Sequence, residues 1–163
     1  MILYPEKHQC QLIYKFAAAL YGIDLGRIIG LDYGKKRTGI AVTDPLQISI
    51  NPLPTLPTSE LMDFLKNYVN QESVSSLVIG YPTHKDGTPT YLVKDIELFI
   101  TKIEEVFPSL DIIREDEYGT SLEARNNMIL MGVKKKKREK KEELDKGSAI
   151  LILKSYLNKK YML

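Results

Sequence analysis

A mixed α/β domain, with one five-stranded sheet and helices on both faces, is predicted by three features of the 163-residue chain. Two apolar strand segments, at residues 28–31 and 38–43, are joined by a short turn rich in Gly and Lys, the pattern of a β-hairpin. Two later strand segments are each preceded by residues with helical apolar spacing, the pattern of parallel pairing through a crossover. With 44% hydrophobic and 27% charged residues, the chain can bury one substantial core and does not have the composition of a disordered tail.

Taken in order, residues 1–26 form an N-terminal extension set apart from the domain at 27–163. The apolar run at 16–23 follows Lys7 and Lys15, but Asp24 closes it far short of a membrane span. An amphipathic extension or an early start codon accounts for it better than a cleaved signal. From Arg27 the pattern is regular. Ile28, Ile29 and Leu31 make a buried strand ending near Asp32, residues 32–36 turn, and residues 38–43 return as a second strand. A third extended piece through Ile48 and Ile50 is closed by Pro52, Pro54 and Pro57. These prolines cannot donate to a central ladder, so an edge strand followed by a loop is expected.

Thr58 or Ser59 is placed to cap a helix that carries Leu61, Phe64, Leu65, Tyr68 and Val69 on one face. Residues 76–80 return as a strand. Val93, Ile96, Phe99, Ile100 and Ile103 then mark a second helix that must stop before Pro108, and residues 110–113 form a fifth strand. Residues 121–131 read as helical, a basic stretch follows at 134–141, and residues 144–157 form a closing amphipathic helix. Right-handed crossovers leave few topologies for this order of elements.

Charge and residue counts narrow the chemistry. Lys and Arg number 23 against 21 Asp and Glu, a net charge of +2, so affinity for a polyanion must come from a local patch. A single cysteine, Cys10, excludes an intramolecular disulfide framework and multi-cysteine zinc sites, and suits a reducing cytosol. With two histidines and one cysteine, nucleophilic triads and thiolate chemistry find little material. Carboxylates remain: Asp32 at a strand end, Asp116 and Glu117 after another strand, and Asp145 opening the last helix. Acids gathered on one rim repel one another unless a divalent metal neutralises them. Spacing does not show that they converge, and a turn or capping role is the commoner fate of an acid in Asp32's position.

Gly34 and Gly39 flank the hairpin turn and are expected to supply its backbone conformations. Lys35, Lys36 and Arg37 place three cations beside Asp32, where they either contact a phosphate or decorate a solvated turn. The run from Lys134 through Lys135, Lys136 and Lys137 to Arg138 can clamp a nucleic-acid backbone or form a solvated loop. His84 reads as a surface residue of the loop at 82–89, and Tyr33 is the aromatic best placed to touch a base or sugar.

The segment Gly30-Leu31-Asp32-Tyr33-Gly34-Lys35-Lys36-Arg37-Thr38-Gly39-Ile40-Ala41 resembles the opening motif of the YqgF family, also called RuvX. The resemblance continues through Val78-Ile79-Gly80-Tyr81-Pro82, Asp86-Gly87-Thr88, Asp116-Glu117-Tyr118-Gly119-Thr120-Ser121 and Leu144-Asp145-Lys146-Gly147-Ser148-Ala149, covering about residues 27–157. It implies an RNase H-like fold and a cytoplasmic, metal-dependent nuclease that trims the 5′ end of precursor 16S rRNA. Carried over residue by residue, Asp32, Glu117 and Asp145 would be catalytic and would hold Mg²⁺ or Mn²⁺. Lys35, Lys36, Arg37, Lys135, Lys136 and Arg138 would meet the substrate.

Two positions depart from the family pattern: Tyr118 stands where Arg is usual, and Lys146 where a small or acidic residue is frequent. They favour an alternative, a catalytically silent RNA-binding assembly protein. Within the enzyme class the alternative is a Holliday junction resolvase acting on branched DNA, which needs a two-fold dimer for paired cuts, so both monomer and homodimer are open. A sugar or acetate kinase relative shares an Asp-x-Gly hairpin, but 163 residues leave no room for its second domain. No membrane partner is expected.

Overall fold

Successive strand residues point to opposite faces of a sheet, so Ile29, Leu31, Ile40 and Val42 enter one core while Ile28 and Ala41 enter another. In the computed structural model, which describes residues 26–83, 90–116 and 141–161, with side chains from residue 147 onward in the last stretch, these residues lie on β1 (Arg27–Tyr33) and β2 (Arg37–Thr43). The other strands are β3 (Ile50–Pro57), β4 (Val74–Tyr81) and β5 (Asp111–Asp116). The five-stranded sheet has the order β3-β2-β1-β4-β5. The β1–β2 and β2–β3 pairs are antiparallel, and β1–β4 and β4–β5 are parallel. The mixed sheet expected from the hairpin and the two crossovers is present.

Two helices, α1 (Leu61–Gln71) and α2 (Val93–Val106), cover one face through Leu61, Leu65, Ile96, Phe99, Ile100 and Ile103. The closing helix α3 (Lys141–Tyr161) covers the other face through Ala149, Ile152, Leu153 and Leu157. It is longer at both ends than residues 144–157. The expected helix at 121–131 and the basic residues 134–138 lie outside the described residues.

Three local expectations are corrected. β1 continues through Asp32 and Tyr33, which pair with Gly39 and Thr38, so only residues 34–36 turn. β3 runs through Pro52, Pro54 and Pro57 instead of stopping at them. It lies at the sheet edge, where a missing donor is tolerated, and its register against β2 slips by one residue between Thr38 and Ile40. Thr58 and Ser59 belong to a 3₁₀ turn (Thr58–Glu60) leading into α1 and make no side-chain cap.

α3 lies unusually close to β1. A Cβ built on Gly30 would stand 2.4 Å from Leu153 Cγ and 3.1 Å from the Ala149 carbonyl oxygen, so only glycine fits there. The far end of α3 is tied to the start of β1 through Gln47. This residue is 5% exposed and holds a left-handed backbone with φ 59°. Its amide nitrogen donates to the Gly26 carbonyl at 2.9 Å, and its amide oxygen accepts from Lys160 Nζ at 3.1 Å and from the Tyr161 hydroxyl. Bonds to two separate elements hold the strained conformation in place. They also give α3 its direction: its C-terminal end sits where β1 begins, and its start lies toward the end of the sheet where β1 reaches Asp32.

At the other edge, Arg114 of β5 makes a two-pronged bond to Glu97 of α2, with Nε and Nη2 at 2.8 and 2.7 Å from the two carboxylate oxygens. That bond, assisted by the guanidinium charge and the Tyr81 hydroxyl against a smaller opposing effect of burial, holds the Glu97 carboxyl below its ordinary pKa. Because the folded value is lowered, the pair stabilises fully above the ordinary glutamate pKa and loses that contribution as pH falls through the lowered value. Both side chains are partly exposed, so Arg114→Met is expected to cost under about 1 kcal/mol at neutral pH. Urea unfolding of the two proteins should converge below the ordinary glutamate range.

Candidate active site

Asp32 is the second-last residue of β1, half-buried, and shares a sheet face with Ile28 and Gly30, the face covered by α3. An open cleft of about 340 Å³ begins at this residue and is lined by Gly34, Lys35, Lys36, Arg37, Tyr91 and Leu92. Its floor is the 34–36 turn, which is held from the start of α1. The Thr58 hydroxyl donates to the Gly34 carbonyl at 2.5 Å, and the Thr58 amide donates to the Lys36 carbonyl at 3.1 Å. A hydroxyl has one proton, so in the 3.0 Å contact between Thr38 and Thr58 it is Thr38 that donates.

The Thr58 side chain, expected to cap a helix, therefore fixes the turn beside Asp32. Thr58→Val would strand the buried Thr38 hydroxyl and the Gly34 carbonyl, at an expected cost of about 1–3 kcal/mol readable by chemical denaturation. Gly34 also serves differently from expectation. Its φ is not in the left-handed region. A Cβ there would stand 2.6 Å from the Arg37 carbonyl oxygen, so the glycine permits a close backbone approach.

The three cations of the turn are not equivalent. Lys35 Nζ lies 3.7 Å from Asp95 of α2 and 4.9 Å above the Tyr91 ring, so it is engaged with the cleft wall. Lys36 is exposed, and Arg37 opens β2 opposite Pro57. Tyr33 does not line the cleft. It points to the opposite face, with its ring centroid 5.1 Å from that of Phe99. Burial, helped by the nearby Asp95 carboxylate, raises its pKa. The ring therefore packs against α2.

Of the three acids predicted to act together, only Asp32 has a described side chain. The backbone of Asp145 lies in α3, one turn before Ala149, on the half of the helix directed toward the Asp32 end of the sheet. Glu117 follows the last residue of β5 and lies outside the described residues, as do Lys135, Lys136, Arg138, His84 and Tyr118. Among the described residues no three His, Cys, Asp or Glu side chains gather closely enough to hold a metal.

At the end of β5 the structure identifies a residue that sequence reasoning passed over. Glu115 is 3% exposed, accepts from Ser155 Oγ at 2.6 Å and is paired with Lys159, both on α3. Its position two residues after Ile113, on the same face, was the available signal. Asp116 turns the other way and accepts from the Thr83 hydroxyl at 2.8 Å. Tyr91 was also missed, because no periodicity marks an aromatic in a turn.

Comparison with known proteins bears directly on this arrangement. The sequence model of RuvX, described as Holliday junction resolvase, matches residues 26–159. A protein of Bacteroides fragilis named "Putative pre-16S rRNA nuclease" is 44% identical over 136 residues, 83% of this chain and 99% of that protein. Proteins with the same name from Flavobacterium johnsoniae and Parabacteroides distasonis are 43% and 41% identical, covering 82% and 85% of this chain and 97% and 100% of their own lengths. A five-stranded mixed sheet with an acid at the end of its central strand and a sequence that aligns along nearly its whole described length place this chain in the RuvX (YqgF) family.

Proposed function

We propose that this chain is a metal-dependent nuclease that processes the 5′ end of precursor 16S rRNA in the cytoplasm. The observation that carries the reading is the cleft at Asp32: a reachable carboxylate at the end of the central parallel strand, flanked by Lys36 and Arg37, in a chain whose relatives carry a nuclease name. Crevices at the carboxyl ends of strands are where open α/β sheets bind ligands. The domain at 27–163 carries the activity, and residues 1–26 are an extension outside the family match but for Gly26.

Asp32, Glu117 and Asp145 are the residues we assign to a divalent cation. They offer only carboxylate oxygens, and Asp32 lies at an open cleft instead of inside the apolar core, a donor set suited to Mg²⁺ or Mn²⁺. When bound, such an ion supplies an activated water and stabilises charge at the scissile phosphate. The end of β5 stands two strand spacings from β1, about 10 Å, so the longer reach of a glutamate suits the ligand contributed from that side. Lys36 and Arg37 neutralise the phosphate backbone, joined by Lys135, Lys136 and Arg138, while Lys35 braces the cleft wall. The Thr58 bonds to the Gly34 and Lys36 carbonyls hold the turn backbone that carries these cations beside Asp32.

The family's description as Holliday junction resolvase favours a second reading, resolution of four-way DNA junctions, which would require a homodimer in place of a monomer. The test is cleavage of an end-labelled precursor 16S 5′ leader beside a labelled four-way junction, by the purified full chain in Mg²⁺ or Mn²⁺. Trimming of the leader is the expected result. Selective cutting of the junction would replace it with the resolvase reading, and binding of RNA with no cleavage of either substrate would leave the chain as an assembly protein.

A further inference from the structure

Tyr91 is 76% exposed, yet it is not a loose surface residue. Its turn is anchored on both sides: the Thr90 amide donates to the Pro82 carbonyl after β4, and the Val93 amide donates to the Thr90 carbonyl as α2 begins. One side of its ring is occupied by the Lys35 ammonium, which is itself held by Asp95. With one face so engaged and three quarters of the residue exposed, ring surface remains open to solvent, and the residue lines the cleft that contains Asp32 and Lys36. The other large exposed aromatic among the described residues, Tyr161, differs in that its hydroxyl is used to fix Gln47.

We infer that Tyr91 is a stacking platform for an unpaired nucleobase, and that the strand entering the Asp32 cleft is therefore single-stranded at that point. The inference rests on the nuclease reading and narrows its substrate class. A fixed aromatic ring beside cations is the combination that holds single-stranded nucleic acid without reading its sequence, with bases stacking and cations tracking the phosphates. A base within a continuous duplex has both faces covered by its stacked neighbours and offers none for this contact. Lys35 serves here as the positioning residue that sets the ring's orientation, while Lys36 remains exposed for the phosphates.

Fluorescence anisotropy in EDTA separates binding from cleavage. The probes are a fluorescein-labelled single-stranded RNA of the 16S leader sequence, cut to the shortest length that still binds so that one register is available, its duplex, and a set of the same strands each carrying one abasic spacer. Tyr91→Ala is expected to weaken single-strand binding roughly tenfold and to leave duplex binding unchanged, while Tyr91→Phe and Tyr91→Trp retain wild-type affinity. One abasic position should weaken the wild type to the same degree and leave Tyr91→Ala unaffected. Equal losses on single strand and duplex, or wild-type affinity in Tyr91→Ala, would overturn the inference. So would a wild-type protein insensitive to every abasic position, a test independent of whether the alanine variant folds. A wild type that binds and cleaves RNA while Tyr91→Ala changes nothing removes the platform alone. A wild type that neither binds nor cleaves nucleic acid in Mg²⁺ or Mn²⁺ removes the nuclease reading with it.

Discussion

Replacing Gly30 with alanine is expected to lower the unfolding free energy by about 1–3 kcal/mol, the usual cost of forcing one extra carbon into a filled core. The new methyl would meet Leu153 Cγ at 2.4 Å and the Ala149 carbonyl at 3.1 Å, so both a branched side chain and helix backbone must move. Because these residues are in contact, the effects should be coupled: Leu153→Ala, harmful alone, should recover part of the loss in the double variant. Urea unfolding of the four proteins measures this. Cleavage should also fall at temperatures where the variant is folded, because the helix pushed off β1 is the one that carries Asp145. Full stability in Gly30→Ala would mean that α3 does not sit against β1 as described.

Under the proposed mechanism, Asp32→Asn is expected to reduce cleavage of the 16S leader at least a hundredfold, since loss of a metal-holding carboxylate removes several kcal/mol of transition-state stabilisation. The substitution keeps size and shape, so RNA binding in EDTA should persist through Lys36, Arg37 and Tyr91. That split identifies a catalytic acid. Parallel loss of binding and cleavage would instead point to a structural role for Asp32 at the strand end.

Much of this fold was legible because its signals are local. The continuous apolar runs around Ile28 and Ile40 and the helical spacing from Val93 to Ile103 survive into β1, β2 and α2 with boundaries close to expectation. The errors occurred where tertiary partners decide. Pro52, Pro54 and Pro57 argue against a strand unless it is known to lie at an edge, which only the pairing order reveals. Thr58 looked like a helix cap because the chain does not announce that its hydroxyl is claimed by Gly34, 24 positions away. With β1 extended by two residues, alternation sends Tyr33 to Phe99 and leaves Asp32 at the cleft.

The candidate site divides along the same line. Asp32 and its cations are adjacent in sequence and were found together. Tyr91 joins them only through the seating of α2 on the sheet, and Glu115 becomes meaningful only once Ser155 and Lys159 lie against it. The ordering of Asp32, Glu117 and Asp145 came from family resemblance, because acids more than twenty residues apart carry no local sign of convergence.

The most direct test of the central claim is a calorimetric titration of Mn²⁺ into the full chain and into Asp32→Asn, Glu117→Gln and Asp145→Asn. Three acids sharing one cation site predict saturable binding to the wild type that each single substitution weakens. Wild-type Mn²⁺ affinity in all three variants would contradict a common metal site and with it the proposed mechanism.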